Sequence, residues 1–200
     1  MKSHASKARR TELLAPLCLG DNLRIDSPLT TGQPLIVDQI WEWSPPSLSP
    51  MVDYVLADNA GDGSLKRLRI MRQQNVDSSK AAIFTLYDRF PYSEQFHDVV
   101  RSDFKHLAVH DSPSEIGDPA MFWRLRDVTT SHVSPVTIRR NAGRPIHANV
   151  EFWDYSRLTD VNGVEAEEFI FVELNSADRA FEIWRGVEVP VEGYSALAAS

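Results

Sequence analysis

Two histidines four residues apart, His106 and His110, have the spacing that brings two imidazoles onto one metal ion when the backbone is helical. The glutamate that a zinc protease carries directly after the first histidine is missing, and His97 falls almost opposite His106 on a helical wheel. The pair is therefore a weak metal candidate. A metal-dependent hydrolase using it together with acidic strand residues is the enzymatic reading of the chain. Other chemistries find less support. Cys18 has no base nearby in sequence, and no serine sits in a Gly-x-Ser-x-Gly elbow. Neither a phosphate-binding loop nor a dinucleotide fingerprint occurs, so no cofactor is expected. Asp58 to Gly63 resembles a calcium loop in composition but lacks the downstream bidentate glutamate. Glu165, Glu167, Glu168 and Glu173 could supply paired carboxylates. Solvated strand faces and pairing across strands with Arg157, Arg179 or Arg185 account for them better. No residue is assigned a catalytic role.

Binding has better candidates. Trp41 and Trp43 precede the segment Ser44-Pro45-Pro46-Ser47-Leu48-Ser49-Pro50, in which three prolines fix φ and remove hydrogen-bond donors. Aromatic residues beside such a loop can anchor an interface, so Trp41, Trp43, Pro45, Pro46 and Leu48 are the expected protein-contact residues. Trp123, Trp153 and Trp184 lie in strand-like segments and are expected to pack. Arg67, Arg69 and Arg72 alternate with apolar residues and read as a solvated strand face.

These residues must be held by a folded frame, and composition allows one. Of 200 residues, 42% are hydrophobic and 24% charged, close to globular averages. A net charge of −7 argues against nucleic acid, whose phosphates need a basic face. No apolar run approaches the roughly 20 residues of a membrane-spanning helix. One cysteine cannot form an internal disulfide, which fits a reducing cytoplasm. Residues 1–16 read as a flexible basic tail, since Glu12 and Pro16 interrupt what would otherwise look like a signal sequence.

Along the chain, short alternating segments dominate. Strands are expected at Leu23 to Asp26, Leu35 to Ile40, Asp53 to Leu56, Leu65 to Met71, Ala81 to Tyr87, Met121 to Asp127 and Val133 to Arg139. The strongest pattern is a three-stranded antiparallel meander from Asn149 to Val189. Ile170, Val172 and Leu174 share one face of its middle strand, and Phe169 and Phe171 the other. Gly186 breaks the third strand like a bulge. Phe96, Val99, Val100, Phe104, Leu107 and Ala108 recur at spacings of three and four, which predicts one amphipathic helix near 93–110. The expected fold is mainly β (α+β), with antiparallel meanders forming a sandwich or partly open barrel. It is one domain over 17–195, or two intimate halves, 17–90 and 115–195, joined by the helix.

Glu151-Phe152-Trp153-Asp154-Tyr155-Ser156-Arg157, Glu167-Glu168-Phe169-Ile170-Phe171-Val172-Glu173 and Glu182-Ile183-Trp184-Arg185-Gly186 together resemble the closing portion of bacterial YjfK-type domains. Leu19-Gly20-Asp21-Asn22-Leu23 and Ile116-Gly117-Asp118-Pro119 are compatible with it. The likeness implies a setting: phage-shock-type coiled-coil proteins of stressed membranes, small polytopic membrane proteins, and ligases of the glutathionylspermidine class. It carries no catalytic residues. The resulting expectation is a non-enzymatic cytoplasmic adaptor that binds another protein, such as a coiled-coil one, in a membrane-stress system. A hydrolase using His106 and His110, or an immunity or phage-system component, is the alternative.

Overall fold

The computed structural model describes residues 17–27, 29–30, 33–46, 50–58, 65–72, 82–90, 105–110, 118–125, 132–161, 164–176, 181–189 and 194–197. They form β1 (Asn22–Ile25), β2 (Leu35–Trp43), β3 (Met51–Asp58), β4 (Leu65–Arg72), β5 (Ala82–Arg89), β6 (His106–Val109), β7 (Ala120–Arg124), β8 (His132–Arg140), β9 (Ile146–Val161), β10 (Val164–Asn175), β11 (Phe181–Glu188) and β12 (Tyr194–Leu197). All twelve belong to one antiparallel sheet. The mainly-β, antiparallel character expected from the alternating sequence is thus present. No helix among the described residues is long and apolar enough to cross a membrane.

The sheet closes on itself. Pairing runs β2 to β3 to β4 to β5, crosses to β11, returns through β10, β9 and β8, and ends back on β2. Eight strands is a number at which side chains can fill a barrel's interior. Closure also leaves the ring without free edges of its own.

Two features of the sequence make closure work. In β2 the pairing with β3 skips Asp38, between Val37 and Gln39. This bulge reverses the faces, so Leu35, Val37 and Ile40 pack outside while Trp41 and Trp43 turn into the lumen. In β9, sixteen residues serve two neighbours. Its first half pairs with β8, and Tyr155 and Ser156 pair with β7.

Three apolar clusters follow from this geometry. One fills the lumen, with Trp41, Trp43, Val55, Tyr87, Val136, Phe152, Phe171 and Trp184. A second lies outside β2 to β5, where Leu23 and Ile25 of β1 cover Leu56, Leu68, Phe84 and Leu86. In the third, Leu107, Val109 and Phe122 of the β6–β7 hairpin cover Trp153, Tyr155, Ile170, Val172 and Ile183. Ile170 and Val172 therefore face outward and Phe171 inward, as the alternation predicts.

Two expectations need correction. The helix near 93–110 is not present in its described part, because His106–Val109 is a strand with Leu107 and Val109 buried and His106 and Ala108 exposed. Period-two alternation paired against β7 decides the conformation there, and 91–104 lie outside the described residues. Gly186 is also not a bulge, since it pairs in continuous register with Phe169 and Tyr87. Its role is clearance: a Cβ there would come within 2.5 Å of both the Leu86 carbonyl oxygen and the Tyr87 ring.

Candidate functional site

The lumen contains charge as well as aromatic surface. Arg67 and Arg69 alternate with Leu68 and Ile70 on β4, so both arginines point inward, and they are 1% and 6% exposed. Expected on a solvated face, they are instead buried, each beside a carboxylate delivered by another strand. Arg67 donates from Nη1 and Nη2 to Glu173 at 2.7 and 2.6 Å. Arg69 donates from Nε and Nη2 to Asp53, both at 2.7 Å. Such two-pronged geometry is what makes a buried pair tolerable. Arg67 also lies 3.5 Å from Asp53, joining the two pairs into one network.

Aromatic rings enclose the network. The Arg67 guanidinium sits 4.1 Å from the Trp184 ring centroid and 4.8 Å from that of Trp41. That of Arg69 lies 3.7 Å from Phe171. Trp184 Nε1 donates to Glu173 at 3.2 Å. Burial opposes the charged form of both arginines, but Glu173 and Asp53 more than offset it, so both pKa values lie above the ordinary arginine value. Burial pushes the Tyr87 phenol up to about 12.

A cavity borders each of the two arginines. On the Arg67 side, about 120 Å³ is lined by Gln39, Trp41, Arg140, Glu173, Asn175, Glu182 and Trp184, among others. Glu182 faces Glu173 across β10 and β11. Burial, and then the Glu173 charge, hold the Glu182 carboxyl above the usual carboxylate range. On the Arg69 side, about 260 Å³ is lined largely by apolar groups, including Met51, Met71, Ile83, Phe169 and Leu125, with Asp154, Glu167 and Glu188.

The second cavity opens beside an exposed apolar strip. β7 replaces β8 as the neighbour of β9, with Trp123 opposite Ser156 and the Leu125 N–H donating to the Asp154 carbonyl at 3.0 Å. Alternation then leaves Met121, Trp123 and Leu125 on the face shared with Leu158. They are 38%, 61%, 47% and 69% exposed. Leu125 belongs to both strip and cavity wall.

No family model, curated protein or solved structure matches the chain.

The residues singled out from sequence are dispersed. Trp41 and Trp43 stack on each other with centroids 6.1 Å apart inside the barrel, at 8% and 1% exposure, and so present no exposed aromatic patch. The β2 bulge turns them inward. Pro45 is buried and Pro46 exposed, while Leu48 lies outside the described residues. Trp153 and Trp184 pack in cores as expected, but Trp123 does not. His106 and His110 are both exposed, and four residues of extended chain span about 13 Å, too far for one ion. Among the described residues no group of three or more His, Cys, Asp or Glu is placed to hold a metal. Glu168, as expected, pairs across strands with Arg157 and Arg185. Cys18 is exposed.

Arg67, Arg69, Asp53 and Glu173 were the residues that sequence alone placed poorly. A cue did exist in the carboxylates. Asp53 interrupts the apolar run Met51 to Leu56, and Glu173 stands between Val172 and Leu174, each on the inward parity of a core strand.

Proposed function

We propose that this chain is a non-enzymatic adaptor that binds another protein through the end of its barrel beside Trp123 and Leu158. The observation that carries the reading is the exposure of four large apolar side chains along one face of β7 and the end of β9. Contiguous apolar surface of this kind is costly to leave in water and usually marks an interaction site. A tryptophan at its centre is the residue type most enriched among binding hot spots. The lumen favours the same reading, because Arg67 and Arg69 are already engaged by Glu173 and Asp53. A network so paired is a rigid core for the surface around it. The resemblance to YjfK-type domains supplies the partner to try first, a coiled-coil protein of a membrane-stress system in the cytoplasm.

The test is co-purification of tagged chain with that coiled-coil protein, comparing wild type with a Trp123→Ser/Leu158→Ser variant. The reading expects retention by wild type and loss in the variant. Equal retention would refute the assigned surface, and no retention of any protein by the wild type would refute the adaptor role.

A further inference from the structure

We infer that the 260 Å³ cavity beside Arg69 receives one large apolar side chain from a basic segment of the partner, so that the site selects cationic, apolar sequences. This rests on the adaptor reading and adds the chemistry of the bound segment.

Size comes first. Pockets for whole small molecules run to about 300–1,000 Å³, so this cavity falls just below that range and has room for a large side chain. Met51, Met71, Ile83 and Phe169 give it apolar walls, and Leu125 joins those walls to the exposed strip. A chain lying along Trp123 and Leu158 can therefore drop one residue inward without leaving the surface. Flexible methionine walls suit an anchor of variable shape.

Charge then specifies what flanks the anchor. Asp154, Glu167 and Glu188 line the cavity, and Arg69, which also lines it, is held by Asp53. The same face continues outward with acidic residues, because Glu167 pairs with Leu158 and Glu165 with Asp160 in register. An apolar strip edged by carboxylates attracts Lys and Arg and repels nucleic acid or an anionic lipid surface. Rim charges act mainly through encounter rate and specificity, with strong dependence on salt.

The probe is a random twelve-residue peptide library displayed on phage and panned against the full chain at low salt. Selected peptides should be enriched in Lys or Arg beside Leu, Ile, Phe or Met. Their affinity should fall about tenfold or more in Glu167→Gln/Glu188→Gln and in the cavity-filling Met71→Trp. It should be unchanged in Ile146→Ser, an exposed apolar site on the first residue of β9. Circular dichroism of each variant establishes that the barrel is intact. Acidic or uncharged selected peptides, affinities indifferent to Glu167, Glu188 and Met71, or no selected peptides would each overturn the inference. If binding is lost with Trp123→Ser but survives all the carboxylate and cavity variants, the adaptor surface stands and the anchor chemistry falls.

Discussion

Arg67 and Glu173 lie 106 residues apart in the chain and meet inside the barrel through two parallel hydrogen bonds of 2.7 and 2.6 Å. The pair ties β4 to β10, which are not neighbours in the sheet. It therefore crosses the lumen, and so bears on whether the ring holds its shape.

Removing one partner leaves an uncompensated buried charge. Glu173→Ala should lower stability by about 3–5 kcal/mol, measured by chemical denaturation. Replacing both members with apolar side chains, as Arg67→Met/Glu173→Leu, should recover much of that loss. A double variant no more stable than Glu173→Ala would mean that the pair holds the barrel in a way apolar packing cannot.

Gly186 is needed because Tyr87 and the Leu86 carbonyl occupy the space a side chain would take. Gly186→Ala forces a backbone contact that no rotamer change relieves, and should cost about 1–3 kcal/mol in thermal or denaturant unfolding. An unchanged midpoint would contradict the close approach.

Glu182 should give stability a slope with pH. Its carboxyl is held above the ordinary range by burial and by Glu173 facing it, although Arg89 lies 3.1 Å away. The folded protein therefore keeps this proton where the unfolded chain has lost it. That contribution is complete below the unfolded carboxylate value and disappears as pH rises through the higher folded one. Glu182→Gln should remove the slope, and it should be relatively more stable than wild type above that window than below it. Urea unfolding at a series of pH values reads this out, and identical slopes would refute it.

Trp123 and Trp184 should behave oppositely. Trp184→Ala opens a cavity against Phe171 and Arg67 and should destabilise by about 3–5 kcal/mol. Trp123→Ser, at a largely exposed ring, should stay within about 0.5 kcal/mol of wild type while abolishing partner binding. A strongly destabilised Trp123→Ser would make that ring part of the core and not of a surface.

Strand character was legible because alternation and turn residues are local. The β9–β10–β11 meander follows Phe169 to Leu174 residue by residue. Ring closure was not legible. It depends on β2 meeting β8, and on Asp38 reversing which side Trp41 and Trp43 face. Alternation names two faces without saying which is inside, so Arg67 and Arg69 read as solvated although Glu173 and Asp53 receive them in the core. At 93–110, spacings of three and four compete with the strand alternation of Leu107 and Val109. Pairing with Phe122 and its neighbours on β7 settled the described part of that segment. Trp123 reads as a packing residue in sequence, and the replacement of β8 by β7 along β9 leaves it exposed together with Leu158.

Hydrogen–deuterium exchange on the full chain, with and without its captured partner, tests the central claim most directly. The adaptor account predicts new protection at Ala120–Arg124 and along β9 from Tyr155 to Val161, with Ile146 to Val150 unchanged. Protection confined to Ile146 to Val150 and β8, or none at β7, would contradict it.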